Sequence, residues 1–226
     1  MHMSDGLVNI PTAAIFGAIA VIGLAVAISR ARADLDDRTA PMAGLVTAFV
    51  FAVQMINFPI LPGASGHLLG GALVAILVGP WVGSLCIAIV LVVQALLFAD
   101  GGLTTLGANI TNMALISVFA GYGVALALRG LARRSRGGLA VTAFVSALLG
   151  TVCASLGFVV EYLVGGAAGA SLGTVFTLMV GLHALIGIGE GLITAATVGA
   201  VAAIRPDLVY FLRGTAAPLE LRGSAA

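Results

Sequence analysis

Lysine is absent from this 226-residue chain. All ten basic residues are arginines, and charged side chains make up 8% of the sequence, where a soluble domain carries about a quarter. The missing lysine excludes a P-loop, which needs Gly-x-x-x-x-Gly-Lys-[Ser/Thr] to hold nucleotide phosphates. Cysteine is nearly absent too. Cys86 and Cys153 sit inside apolar runs with no Cys, His or carboxylate at ligand spacing, so small buried apolar residues are the expectation and a disulfide has no support. Aromatics are scarce at 6%. Trp81, after Gly79-Pro80, is sufficiently explained as an interfacial anchor. No His-Glu-x-x-His occurs, and no Ser or Cys stands beside a base at helical spacing, which argues against an intramembrane hydrolase.

What is present is apolar: 61% of residues are hydrophobic and the mean hydropathy is +1.19. Seven apolar stretches can be read off, covering roughly 10–29, 41–58, 67–79, 82–98, 105–128, 139–164 and 172–204. Most reach the ~20 residues a helix needs to cross ~30 Å of hydrocarbon. The third is short and must start below the surface or be shielded by neighbours, because bare backbone at that depth cannot satisfy its hydrogen bonds in lipid. The expectation is an all-α, polytopic transmembrane bundle of about seven helices. It forms one domain over 1–226, with an outer N-terminal segment 1–8, helices over about 10–204 and a tail 205–226.

The arginines set orientation. Arg30, Arg32 and Arg38 fall in the first connection, Arg129, Arg133, Arg134 and Arg136 in the fifth, and Arg205, Arg213 and Arg222 in the tail. Seven spans put all three groups on one side, which the positive-inside rule makes the cytoplasm. Met1 and His2 then face outward, with the connections 59–66, 99–104 and 165–171. The first apolar run resembles a signal peptide only superficially: it lacks a positive n-region, it is too long, and arginines follow it. It reads as a retained first helix.

Polar residues inside spans are costly and need a reason. Gln54 and Asn57 lie three apart near the outer end of the second stretch, and Asn109 and Asn112 repeat that spacing in the fifth, so each pair is expected on one helix face. Gln94, Glu161, Ser65 and Asp100 lie in the same outer half. Together they outline a polar pocket open to the outside. His183 and Glu190, seven apart in the last stretch, form a separate pair on one face, either a structural pair or a proton relay. Small residues at four-residue spacing, such as Ala14/Ala18, Gly121/Ala125 and Gly187/Gly191, read as close helix packing. Ala13, Ala14, Gly17 and Ala18 are the candidate face for docking another membrane subunit.

The first six residues are Met1-His2-Met3-Ser4-Asp5-Gly6. The α-amine of Met1, the deprotonated amide of His2 and the His2 ring nitrogen Nδ1 can close fused five- and six-membered chelate rings around one metal ion. One position of a square plane stays open, and His67, after the run Pro62-Gly63-Ala64-Ser65-Gly66 that reads as flexible, is the candidate to fill it. Tetragonal nitrogen surroundings suit Ni(II), Cu(II) and low-spin Co(II), where zinc prefers a tetrahedron. Such binding releases protons and, from unperturbed pKa values, should weaken between about pH 7 and pH 5.

At this point the chain resembles the CbiM/NikM family, the membrane-embedded substrate-binding subunit of energy-coupling-factor cobalt and nickel transporters. The resemblance covers essentially the whole sequence. It rests on the six N-terminal residues, on Asn57-Phe58-Pro59 leading to Gly63-Ala64-Ser65-Gly66-His67-Leu68-Leu69-Gly70-Gly71, and on Val92-Val93-Gln94-Ala95-Leu96-Leu97-Phe98 with Asp100-Gly101-Gly102-Leu103. Leu106-Gly107-Ala108-Asn109 and His183-Ala184-Leu185-Ile186-Gly187-Ile188-Gly189-Glu190 complete it. The resemblance implies metal ligation by Met1, His2 and His67, no cofactor, and Co(II) or Ni(II) as transported substrate. It also implies that the chain is no enzyme, that it works with a transmembrane coupling subunit and two cytoplasmic ATPases, and that a separate small membrane protein is expected. A proton-coupled secondary metal carrier, with His183 and Glu190 as the relay, is the alternative.

Overall fold

In the computed structural model of the protein, residues 1–36 and 39–213 are described. Asp37, Arg38 and the end of the tail with Arg222 lie outside the described residues. Five helices are long and apolar enough to cross a membrane: α1 (Ile10–Asp34), α4 (Pro80–Leu97), the continuous Leu106–Ala127, α8 (Arg136–Gly165) and α9 (Leu172–Ile204). Between α1 and α4 come α2 (Thr39–Gln54), the strands β1 (Phe58–Leu61) and β2 (Ala64–Gly66), and the short α3 (Gly71–Val78). Leu106–Ala127 comprises α5 (Leu106–Ile110), a π turn at Thr111–Ile116, and α6 (Ser117–Ala127); α7 (Arg129–Ala132) is a single turn before α8.

Local signals set the helix ends. Asn9 caps α1 by accepting from Thr12 N at 3.0 Å, with Pro11 in the first turn where its missing N–H costs nothing. Ser135 caps α8 through Gly138 N, and Ser171 caps α9 through Thr174 N. Between α3 and α4 the chain reverses at Gly79, with φ +90°, and Pro80 starts the next helix. A side chain at position 79 would also press on the Tyr210 ring at 3.0 Å.

Burial divides the helices by role. Every residue of α3 is buried, so this element of about 12 Å is shielded on all sides, as its shortness requires. In contrast α1 buries a narrow stripe, Ala13, Ala20, Ala27 and Ala31, and exposes Ile15, Ile19, Val21, Ile22, Val26 and Ile28 to the surroundings. Along α9 the inward stripe is Met179, His183, Gly187, Glu190, Thr194 and Val198. A side chain at Gly187 would meet Leu148, and one at Gly191 would meet Phe144, so these two glycines let α8 and α9 lie close. Of the small residues on α1, Ala13 is buried and Gly17 faces the backbone of Gly107, while Ala14 and Ala18 stay exposed.

The arginine-bearing segments gather at one end. Arg213 donates to Thr39 Oγ1 at 2.7 Å and lies 4.0 Å from Asp36, and Arg129 stands over the Phe211 ring at 6.0 Å. Trp81 packs edge-on against Phe119, with ring centroids 4.8 Å apart.

Three expectations need correction. The all-α reading misses one small antiparallel sheet, in which Phe58 pairs with Gly66, Pro59 with Ser65 and Leu61 with Ala64. The connection 59–66 is therefore a hairpin and no flexible run. Asn57 lies past the end of α2, so it shares no helix face with Gln54.

Candidate metal centre

The N-terminal segment is stitched down along its length. Met3 joins Ala64 by a single antiparallel bridge beside the hairpin, with Ser65 N donating to His2 O at 3.2 Å and Ser4 N to Gly63 O at 2.8 Å. On its other side Met3 N donates to Asn109 Oδ1 at 2.8 Å. The Met3 carbonyl accepts from Gly102 N, Thr105 Oγ1 and Asn109 Nδ2 at 2.8, 2.7 and 3.1 Å. Asp5 Oδ1 accepts from Thr104 N and Thr104 Oγ1, and Ala167 N donates to Leu7 O. The segment is thus clamped between β2, the 99–105 connection and the end of α8.

This clamp brings His2 and His67 together. Their ring centroids are 4.5 Å apart, and the side chains are 2% and 1% exposed, with Met1 fully buried. The expected pocket open to the outside is closed, because the N-terminal segment itself fills its mouth. Asp100 comes within 3.6 Å of His2 Nε2 and is held by Asn57 Nδ2 at 2.6 Å. His67 Nδ1 lies 2.8 Å from the Leu68 carbonyl, which can only accept, so Nδ1 carries the proton and the lone pair is on Nε2. That Nε2 is buried without a hydrogen-bond partner. A buried, unpaired nitrogen lone pair is costly unless something occupies it.

The backbone adds a third group. The amides of Met3 and Ser4 are committed as above, whereas the His2 amide makes no hydrogen bond among the described residues. Burial holds the Met1 amine well below its ordinary range, against the opposing pull of Asp100 and Glu190. Burial and the neighbouring amine charge also hold the His2 ring well below the usual imidazole range. Both shifts favour the neutral, lone-pair-bearing forms near neutral pH. Burial raises the Asp100 carboxyl, with the Met1 amine and Asn57 acting the other way. Among the described residues no group of three or more His, Cys, Asp or Glu side chains converges as a metal site.

Gly101 has φ +88°, and a side chain there would meet His2 Nδ1 at 2.9 Å and Asn109 Nδ2 at 3.1 Å. The Asp100-Gly101-Gly102 run therefore lets the connection touch the imidazole. Its role could have been found in the sequence only through the paired glycines, which mark close backbone approach.

The segment His67–Gly70 is suspended between two helices. Gln54 Nε2 donates to Leu69 O at 2.7 Å, from α2. From α9, Glu190 accepts Leu69 N on Oε2 and Gly70 N on Oε1, both at 2.8 Å, and Thr151 Oγ1 of α8 donates to Oε2 at 2.9 Å. His183 shares the inward stripe of α9 with Glu190, as expected, but its Nδ1 is bonded to Met179 O at 2.7 Å. No hydrogen bond joins the pair among the described residues. Asn112, in the π turn, donates to Glu161 Oε2 at 2.6 Å and so parts company with Asn109, which serves Met3. Gln94 Nε2 lies 3.9 Å from Met55 Sδ.

Residues 2–208 match the family described as CbiM, cobalt uptake substrate-specific transmembrane region. The chain is 34% identical over 231 residues to a fused nickel transport protein, NikMN, of Rhodobacter capsulatus, covering 96% of this chain and 66% of that protein. It is 32% identical over 216 residues to the cobalt transport protein CbiM of Sorangium cellulosum, covering 92% of this chain and 94% of the relative. Among solved structures, a crystal structure of a transition metal transporter superposes with a TM-score of 0.80 at 30% identity, over 95% of this chain and all of that one.

Proposed function

The chain belongs to the CbiM family of multi-pass membrane proteins of cobalt and nickel transport, and from that premise we propose that it captures Co(II) or Ni(II) outside the cell and delivers it inward as the substrate-specific subunit of an ATP-driven energy-coupling-factor transporter. The metal is the cargo, held in a square plane by the Met1 amine, the His2 amide and Nδ1, and His67 Nε2. The single observation that carries this reading is the enclosed meeting of His2 and His67. There, among the described residues, His67 Nε2 and the His2 amide make no hydrogen bond, and His2 Nε2, also without one, faces the Asp100 carboxylate at 3.6 Å, which leaves Nδ1 for the metal. A carboxylate beside the non-ligating nitrogen orients the ring and raises ligand basicity.

Seven membrane crossings fit this assignment: the five long helices, α2 and the shielded α3. Met1 then faces outward, and the arginine-rich end is cytoplasmic, where a transmembrane coupling subunit and two ATPases would dock. A chain without lysine has no P-loop of its own, so on this reading ATP hydrolysis is supplied by such partners. A small additional membrane protein completes the proposed assembly. The geometry of Glu190 weighs against the proton-coupled carrier: all three of its hydrogen bonds are donated to it, which suits a fixed acceptor better than a shuttling acid.

The test is elemental analysis of the purified protein together with Ni(II)/Co(II) competition and visible absorption. A planar four-nitrogen site gives a yellow-orange Ni(II) band at one metal per chain. A pale-green octahedral spectrum would rule the site out.

A further inference from the structure

Glu190 lies one helix away from the candidate centre, at the N-terminal end of α3, yet its carboxylate takes hold of the backbone immediately after His67. Both oxygens are used, one on Leu69 N and the other on Gly70 N, each at 2.8 Å. Thr151 adds a third bond at 2.9 Å. The residue is 4% exposed, and a charge at that depth is tolerable only when every bond of this kind is made. These two amides stand just ahead of α3, Gly70 being its N-cap and Leu69 the residue before it, at the helix end that favours a negative charge. Among the described residues, the His67 side chain makes a single hydrogen bond, from its Nδ1 to the Leu68 carbonyl, within the same four-residue segment. The position of its Nε2 therefore depends on where residues 68–70 sit. Gln54 fixes that segment from the α2 side through Leu69 O, and Glu190 fixes it from the α9 side through two amides.

Resting on the metal site proposed above, we propose that Glu190 is the positioning residue of His67, tying the fourth metal ligand to α9 so that a shift of that helix seats or unseats the imidazole. The carboxylate touches no cargo. It acts by fixing residues 68–70, and its negative charge, with that of Asp100, lies close enough to the Met1 amine to act on it. A complex of a divalent ion with one deprotonated amide carries a single net positive charge, and Glu190 is a buried group able to compensate it. The helix that bears it is suited to move. Only a narrow stripe of α9 is buried, and Leu185, Ile188 and Leu192 beside Glu190 face outward, where a membrane partner or lipid can grip them.

The experiment is a double-mutant cycle on the purified full chain, read by Ni(II) affinity and by the visible Ni(II) band. Glu190→Gln puts an amide N–H₂ against a backbone N–H and should weaken binding on the order of tenfold or more and shift the band, the scale typical of groups that orient a ligand. His67→Ala should weaken binding at least as much. The decisive arm is Glu190→Gln with His67→Ala, which should bind within about twofold of His67→Ala alone, because a residue that works through His67 has nothing to act on once it is gone. Additive losses in the double variant, or an unchanged affinity and band in Glu190→Gln, would overturn the proposal. Should Glu190→Gln not fold, Thr151→Val replaces it in the cycle: it leaves both backbone bonds, so a loss of a few fold that vanishes in the His67→Ala background supports the proposal and an additive one refutes it. His67→Ala binding like the wild type is a different failure, which removes the metal site itself.

Discussion

At the scale of single residues, the candidate centre depends on nitrogen atoms kept free of protons and of partners. Placing one residue ahead of Met1, or acetylating its amine, removes a ligand and breaks the chelate; isothermal titration should then show no high-affinity Ni(II) or Co(II) binding. The lowered pKa values of the Met1 amine and of His2 set the proton count. Free groups of these kinds titrate at roughly 7.7–8.0 and 6.5, so at pH 7 an exposed pair would give up most of an amine proton and a fraction of an imidazole proton as well as the amide proton. A depressed pKa leaves both already neutral there. Binding should accordingly release about one proton per metal at pH 7, from the His2 amide, so affinity should fall about tenfold per pH unit there, and the steeper loss from protonating the amine and imidazole should begin at lower pH than ordinary values predict. Calorimetry in buffers of different ionisation enthalpy counts these protons, and a release near two or more would contradict the buried, neutral site.

Elements differ in how much of them the sequence reveals. The long helices could be read from apolar runs because the bilayer fixes their length, and residues 172–204 coincide with α9 end to end. The hairpin could not be read: β1 and β2 have four and three residues, include Pro59 and flank Pro62-Gly63, and β2 meets Met3 across some sixty positions. Met1, His2 and His67 could be proposed as a set because chelate chemistry makes His2 conspicuous, and of these the structure brings the His2 and His67 rings to 4.5 Å. The hold of Glu190 on Leu69 and Gly70 was not, since its bonds span 121 and 120 residues and end on backbone groups that carry no sequence signal. Two substitutions test how the 99–105 connection and α5 hold the N-terminal segment. Gly101→Ala should displace the His2 ring and weaken metal binding on the order of tenfold while leaving the helix content by circular dichroism unchanged. Asn109→Ala leaves the buried Met3 amide without its acceptor, at a cost of about 1–3 kcal/mol, and should raise hydrogen exchange over residues 1–9 while the helices stay protected. Unchanged exchange in that segment would show that the hairpin alone holds it.

For the whole molecule, the proposed assembly makes a prediction about energy: metal uptake in cells should stop when the partner ATPases are inactivated, while metal binding by the isolated chain persists. Uptake that continues on a proton gradient alone would favour the secondary carrier. The N-terminal segment has a further consequence for timing. If the same eight or nine residues supply the proposed ligands and close the mouth, the ion cannot enter or leave past them while Met3, Ser4 and Asp5 remain bonded to the hairpin, the 99–105 connection and Asn109. Metal exchange is then clocked by detachment of this segment. With loaded protein in excess chelator, the stripping rate should reach a plateau that more chelator cannot raise, and Asn109→Ala should lift the plateau by loosening the segment. Occupancy would thus outlast large swings in the external metal concentration, giving the cytoplasmic motor a filled site to work on long after the ion was captured.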